Sequence, residues 1–157
     1  MHGNTDGMEL EKEIKQNKSF SSEYQKLAVN IMFTSSWLNS KQSKIFKPFG
    51  ISPQQYNILR ILRGQLPNPA SVSLLQDRMI DKMSNASRLV DKLKLKKLVE
   101  RKECKIDRRQ VDIIITQRGL ELLREIGKAV EVSESDFKTI SIAEAKELNR
   151  ILDKLRD

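Results

Sequence analysis

At 157 residues, with 38% apolar and 32% charged side chains, the chain has the size and make-up of one globular domain that can bury a core. It holds no apolar run of about 18 residues and opens on no charged-then-apolar leader, which argues against a membrane span and makes the cytoplasm the expected compartment. The single Cys104 and the single His2 exclude an internal disulfide, a structural metal set and any evident catalytic constellation, so neither enzyme activity nor a cofactor is expected; the formal net charge of +8 points instead to a polyanion.

That charge is uneven. Residues 71–119 hold 13 basic and 7 acidic side chains, whereas residues 120–157 hold 7 and 9. A basic surplus attracts phosphate backbones and releases their counterions, whatever the base sequence.

In chain order, residues 1–19 are polar and are expected to be flexible, with Leu10 and Ile14 extending a helix only within a dimer. From about Phe20 to Phe46, Tyr24, Leu27, Ala28, Ile31, Ser35, Leu38 and Ile45 recur on one side of a helix, and Met32, Phe33 and Trp37 widen the stripe. So broad a stripe exceeds what a small module can cover, and a second copy is expected against it. Ser52-Pro53-Gln54-Gln55 is a capping box with proline at the first helical position. Tyr56, Leu59, Leu62 and Leu66 should point that helix into the core, and Pro67-Asn68-Pro69 ends it.

Two shorter helices follow. The first runs from about Ser71 to Ile80, with Leu74, Leu75 and Met79 on one face. The second is expected from Asp81 to about Lys96, burying Met83, Ala86, Leu89, Val90 and Leu93 and presenting Ser84, Asn85, Ser87, Arg88 and Lys92 on the other side. Arginine can bridge guanine O6 and N7, asparagine adenine N6 and N7, and serine either kind of base edge, so this face suits the major groove. Leu98–Lys102 and the β-branched run Val111–Thr116 then read as a two-stranded hairpin with Cys104 to Gln110 at its tip. Arg108 and Arg109 on that tip could enter an adjoining minor groove, with Asp107 as their alternative ion-pair partner. Cys104 lies between Lys102 and Lys105, which favour a thiolate; an ordinary surface cysteine is the simpler reading. Thr116 caps a helix from about Gln117 to Phe137 with Leu120, Leu123, Ile126, Gly127 and Val130 on one face, Gly119 costing little in its first turn. Ser141 and Glu144 form a second capping box, opening a last helix striped by Ala145, Leu148, Ile151, Leu152 and Leu155.

Ser87-Arg88-Leu89-Val90-Asp91-Lys92-Leu93, Leu98-Val99-Glu100-Arg101, Asp107-Arg108-Arg109 and Ile115-Thr116-Gln117-Arg118-Gly119 together resemble the MarR family of winged-helix transcription regulators, over about Ser52 to Leu123. Members carry glycine where this chain has Lys97, so Lys97 must either accept a left-handed backbone at some cost or end its helix differently. The resemblance implies a mainly α fold with a small two-stranded β-wing, a winged helix-turn-helix domain flanked by dimerisation helices. Residues 20–157 would then be one such domain, with 20–48 and 120–157 as dimerisation helices interlocked across a two-fold axis and 52–119 as the DNA-reading module. It further implies a homodimer acting as a repressor on an inverted-repeat operator in double-stranded DNA. Many members are released by a small aromatic effector and some respond to none; Tyr24, Trp37, Tyr56 and Arg60 are candidates to line such a crevice, the alternative being that the aromatics are packed in the core or interface. A winged helix that docks on an acidic protein or RNA is the alternative. It would show exposed aromatic or leucine side chains on the reading face, where the sequence places Ser84, Asn85, Ser87 and Arg88.

Overall fold

The structure, a computed structural model, describes residues 9–103, 111–133 and 137–157. The chain divides into two compact units, Met1–Ser43 and Lys44–Asp157. In the first, Leu10–Glu13 form a single helical turn, α1, and α2 spans Glu23–Phe46, running on into the second unit. The expectation that Leu10 orders only in a dimer is corrected: Leu10 is buried within the single chain, and Glu11 pairs with Lys26 of α2 at 2.7 Å. The Lys26 hydrogen bond holds the Glu11 carboxyl below its usual range. Helix α2 starts at Glu23 rather than Phe20 because Ser22 Oγ accepts the Gln25 N–H at 3.2 Å while Gln25 Oε1 accepts the Ser21 N–H at 2.9 Å.

The second unit begins with one 3₁₀ turn, Lys47–Phe49, and continues with α3 (Pro53–Gln65), α4 (Val72–Arg78), α5 (Ala86–Leu95), β1 (Val99–Glu103), β2 (Val111–Ile115), α6 (Gln117–Ser133) and α7 (Ile142–Arg156). The capping box at Ser52 forms as expected: Ser52 Oγ accepts the Gln55 N–H, and Gln55 Oε1 accepts the Ser52 N–H. Ile58, Leu59 and Leu62 of α3 pack with Leu75, Val90, Leu93, Val99, Ile113, Leu123 and Ile126 in one buried cluster. Leu66 is not in it. The helix ends at Gln65, Leu66 turns to an extended ψ, and its side chain is left exposed.

The hairpin pairs Val99 with Ile115 and Arg101 with Ile113, antiparallel, and Ala70 adds a bridge that exchanges two 2.9 Å hydrogen bonds with Ile113. Val99, Ile113 and Ile115 face the core. The tip from Cys104 to Gln110 lies outside the described residues.

Three elements meet at the start of α6. Lys97 adopts φ +59, the left-handed alternative raised by the sequence, and the Leu98 N–H then reaches Leu93 O at 3.0 Å while the Lys97 N–H reaches Lys94 O at 2.9 Å. This is a Schellman ending of α5, with buried Leu93 and Leu98 as its apolar pair. Thr116 Oγ1 donates to Lys97 O at 2.9 Å and accepts the Gly119 N–H at 3.1 Å. A Cβ on Gly119 would stand 2.4 Å from Leu98 O and 2.7 Å from Ile115 Cγ1, so close approach, and not tolerance of a first helical turn, is what requires glycine there. The described part of α6 ends at Ser133, short of the expected Phe137, and residues 134–136 lie outside the described residues. Helix α7 begins at the Ser141–Glu144 capping box and buries none of its residues: Leu148, Ile151 and Leu155 stay exposed.

Gly119→Ala is expected to cost about 3 kcal/mol in denaturant unfolding, because the added methyl can be housed only by moving the wing backbone. Lys97→Gly should raise stability by about 0.5–1 kcal/mol in the same measurement, relief of left-handed strain outweighing the added freedom of the unfolded chain.

Candidate nucleic-acid interface

Helix α5 begins at Ala86, five residues later than the apolar spacing suggested, and Met83 is 94% exposed instead of buried. The reason is local. Asp81 Oδ1 accepts the Met83 N–H at 3.0 Å and Asp81 Oδ2 the Ser84 hydroxyl at 2.7 Å, closing a turn where the helix was expected. Those two bonds, the Ser84 hydroxyl first, hold the Asp81 carboxyl below the ordinary range. Asn85 is the cap itself, its Oδ1 accepting the Arg88 N–H at 2.9 Å.

Gln76 of α4 organises this turn, a role no short-range motif announces. Its Nε2 donates to Ser84 O at 2.9 Å and Lys82 O at 3.2 Å, and its Oε1 accepts the N–H of buried Ala86 at 3.0 Å. One side-chain amide thus fixes where α5 starts relative to α4. Asn57 of α3 adds a further tie by accepting the Ile80 N–H at 2.9 Å.

Ser87, Arg88 and Lys92 lie on the exposed face of α5, with Ser87 and Arg88 in its first turn, where a recognition helix meets base edges. Ser84 and Asn85 lie just before the helix. The Ser84 hydroxyl is engaged by Asp81, and Asn85 has its oxygen in the cap, a bond that does not use its amide nitrogen. Asp91, one turn after Ser87, pairs with Arg101 of β1 at 2.7 Å, and Arg101 also donates to Ser87 O at 3.4 Å. The wing root is thereby tied to the reading helix. Asp107, Arg108 and Arg109 of the wing tip lie outside the described residues.

The reading face is less polar than its sequence suggested, since Ile80, Met83 and Leu95 are each more than 80% exposed on or beside it. Among the residues nominated for an effector, Tyr56 stacks on Phe46 with ring centroids 4.6 Å apart, and Arg60 donates to the Tyr56 hydroxyl at 3.1 Å. In the other unit, Lys41 lies 4.3 Å over the Trp37 ring, and Tyr24 is exposed. An open groove of about 510 Å³ is lined by Phe49, Lys96, Leu98, Arg118 and Leu122 among others; neither Tyr56 nor Arg60 lines it. Among the described residues no cluster of side chains could hold a metal ion, and no helix is long and apolar enough to cross a membrane.

No family model matches the chain. The regulator MgrA of Staphylococcus aureus is 26% identical over 113 residues, 72% of this chain and 75% of its own length. The transcriptional repressor MprA of Escherichia coli is 30% identical over 95 residues, 60% of this chain and 54% of its own. Among solved structures, a MarR transcription factor from Planctomyces limnophilus superposes with a TM-score of 0.66 at 29% identity, covering 86% of this chain and 98% of that one. Two at 19% identity share the fold: S. aureus MepR in complex with DNA (TM-score 0.73, 87% and 97% covered) and Bordetella bronchiseptica BpsR, whose DNA binding is regulated by 6-hydroxynicotinic acid (0.75, 88% and 99%).

Gln76→Ala is expected to lower stability by about 1–3 kcal/mol, the penalty of leaving the buried Ala86 N–H without its acceptor, and to raise amide exchange at Ala86 more than in α3. Exchange measured residue by residue checks both.

Proposed function

We propose that the chain is a winged-helix transcription regulator of the MarR family and a sequence-specific repressor, binding as a homodimer to an inverted-repeat operator in the cytoplasm. The observation that carries this reading is the first turn of α5, where Ser87 and Arg88 are exposed at a helix start held by Gln76 and the Asn85 cap. In this reading Arg88 meets a guanine edge, Ser87 and the Asn85 amide nitrogen meet neighbouring edges, and Lys92 meets phosphate, while Ser84 acts through its turn. Asp107, Arg108 and Arg109 are the candidates for a further contact, at the minor groove. The likeness to MepR bound to DNA supports this docking, and the repressor MprA supports the sign of regulation.

The homodimer is supported by α7, whose Ile142, Leu148, Ile151 and Leu155 stay exposed among the described residues. Two-fold symmetry then sets the reading helices about 34–36 Å apart, one turn of B-DNA, which selects an inverted repeat. For release we propose a small aromatic acid, as BpsR responds to 6-hydroxynicotinic acid. Within the second unit the Arg60 guanidinium suits its carboxylate and Tyr56, to which Arg60 donates, is the aromatic candidate for contact. Such a ligand acts only through a difference in affinity between the DNA-competent state and the other, and operator must weaken the ligand by the same factor.

Mobility shift on the duplex upstream of the chain's own reading frame, against random duplex, tests the proposal together with sedimentation at micromolar protein. A preferred duplex bound by a dimer is expected; a concentration-independent monomer, or equal binding to random duplex, contradicts it. Arg88→Ala should weaken the specific complex by about 1–3 kcal/mol while leaving random duplex nearly unchanged, as titration of both will report.

A further inference from the structure

Among the described residues no large apolar side chain is more exposed than Met83, at 94%, and Ile80, at 87%, and both stand in the turn between α4 and α5. A single exposed apolar residue needs no explanation. These two are different because their backbone is pinned. The Ile80 N–H is held by Asn57, the Met83 N–H by Asp81, and the neighbouring carbonyls of Lys82 and Ser84 by Gln76. Met83 lies two residues before the Asn85 cap, continuous with the first turn that carries Ser87 and Arg88, and Lys82 stands between the two apolar side chains. A surface that is apolar, cationic and adjacent to base-reading groups fits the major groove of A·T-containing duplex. There the thymine C5 methyl is the apolar group on a base edge, and phosphates line the rim.

We propose that Met83, flanked by Ile80, contacts a thymine methyl in each half-site and so sets an A·T preference beside the hydrogen-bonded positions of Ser87 and Arg88. The inference rests on the DNA-binding reading above. An unbranched, polarisable thioether suits this contact, since it can settle on a methyl without demanding one geometry.

Replacing thymine by 2′-deoxyuridine removes the methyl and keeps every hydrogen-bonding edge. The probe is the tightest duplex that the wild-type protein selects from a randomised library, resynthesised with deoxyuridine at each thymine in turn. For the wild type, one position per half-site should weaken binding about three- to five-fold, the worth of one desolvated methyl. Met83→Gln should bind thymine and deoxyuridine duplexes alike, and Met83→Leu should restore the difference. Tolerance of deoxyuridine at every position overturns the proposal, as does a penalty that persists in Met83→Gln. A change in the sedimentation of Met83→Gln without DNA, with an unaltered deoxyuridine penalty, would reassign the patch to a protein partner. Selection of no preferred duplex would remove the DNA-binding reading itself, whereas a preferred duplex indifferent to deoxyuridine removes only the role of Met83.

Discussion

The geometry of the second unit hangs on the carbonyl of Leu98. It accepts the Thr116 N–H at 3.1 Å and lies where any side chain at position 119 would have to be, so the end of α5, the base of the hairpin and the start of α6 share one point. Thr116 Oγ1 closes that point from the other side by bonding both Lys97 O and the Gly119 N–H. Two backbone conditions make it possible: a residue at 97 with positive φ and a residue at 119 with no Cβ. The chain meets the second with glycine. It meets the first with lysine, accepting strain that glycine would avoid and retaining a cation at the end of the reading helix.

Around that junction, polar side chains perform alignment and apolar ones supply the stabilisation. Leu93, Val99, Ile113 and Leu123 are all but inaccessible to water and provide the hydrophobic contribution, which has no direction of its own. Direction comes from Gln76, Asn57 and the Asp91–Arg101 pair, each linking a different element to α5 or its approach. The ion pair is partly solvated, and pairs of that kind contribute little to stability. Its effect is positional: the wing strand cannot swing without drawing on the helix that carries Ser87 and Arg88.

Features whose partners lie within four residues were legible in the sequence. The boxes at Ser52 and Ser141 formed as read, and so did the capping of α6 by Thr116 and the ending of α3 before its prolines. The start of α5 was misplaced because Asp81, Ser84 and Asn85 are all capping residues, and Met83 extended the apolar spacing across them. What decided among them was Gln76, eight residues before Ser84 and ten before Ala86, which no periodicity connects to either. Gly119 stands in a motif that the sequence displays, but its constraint comes from Leu98 and Ile115 at the base of the hairpin and so is invisible in its own helix. Lys97 was the opposite case. Its departure from a familiar glycine named the backbone conformation that the structure adopts.

Helix α7 has a consequence for the order in which the molecule opens. Its 15 residues are held by a capping box, by the ion pairs Glu147–Arg150 and Asp153–Arg156, and by almost no burial. A helix of that length is marginal in water, and pairs three residues apart add only about 0.2–0.5 kcal/mol each. In an isolated chain α7 is therefore the helix of the second unit that frays first, while α3, α5 and the hairpin around Leu98 persist as a separate cooperative unit. Whatever covers its apolar stripe will be felt as slower opening of this one helix, long before it registers in the melting of the module that carries the reading face.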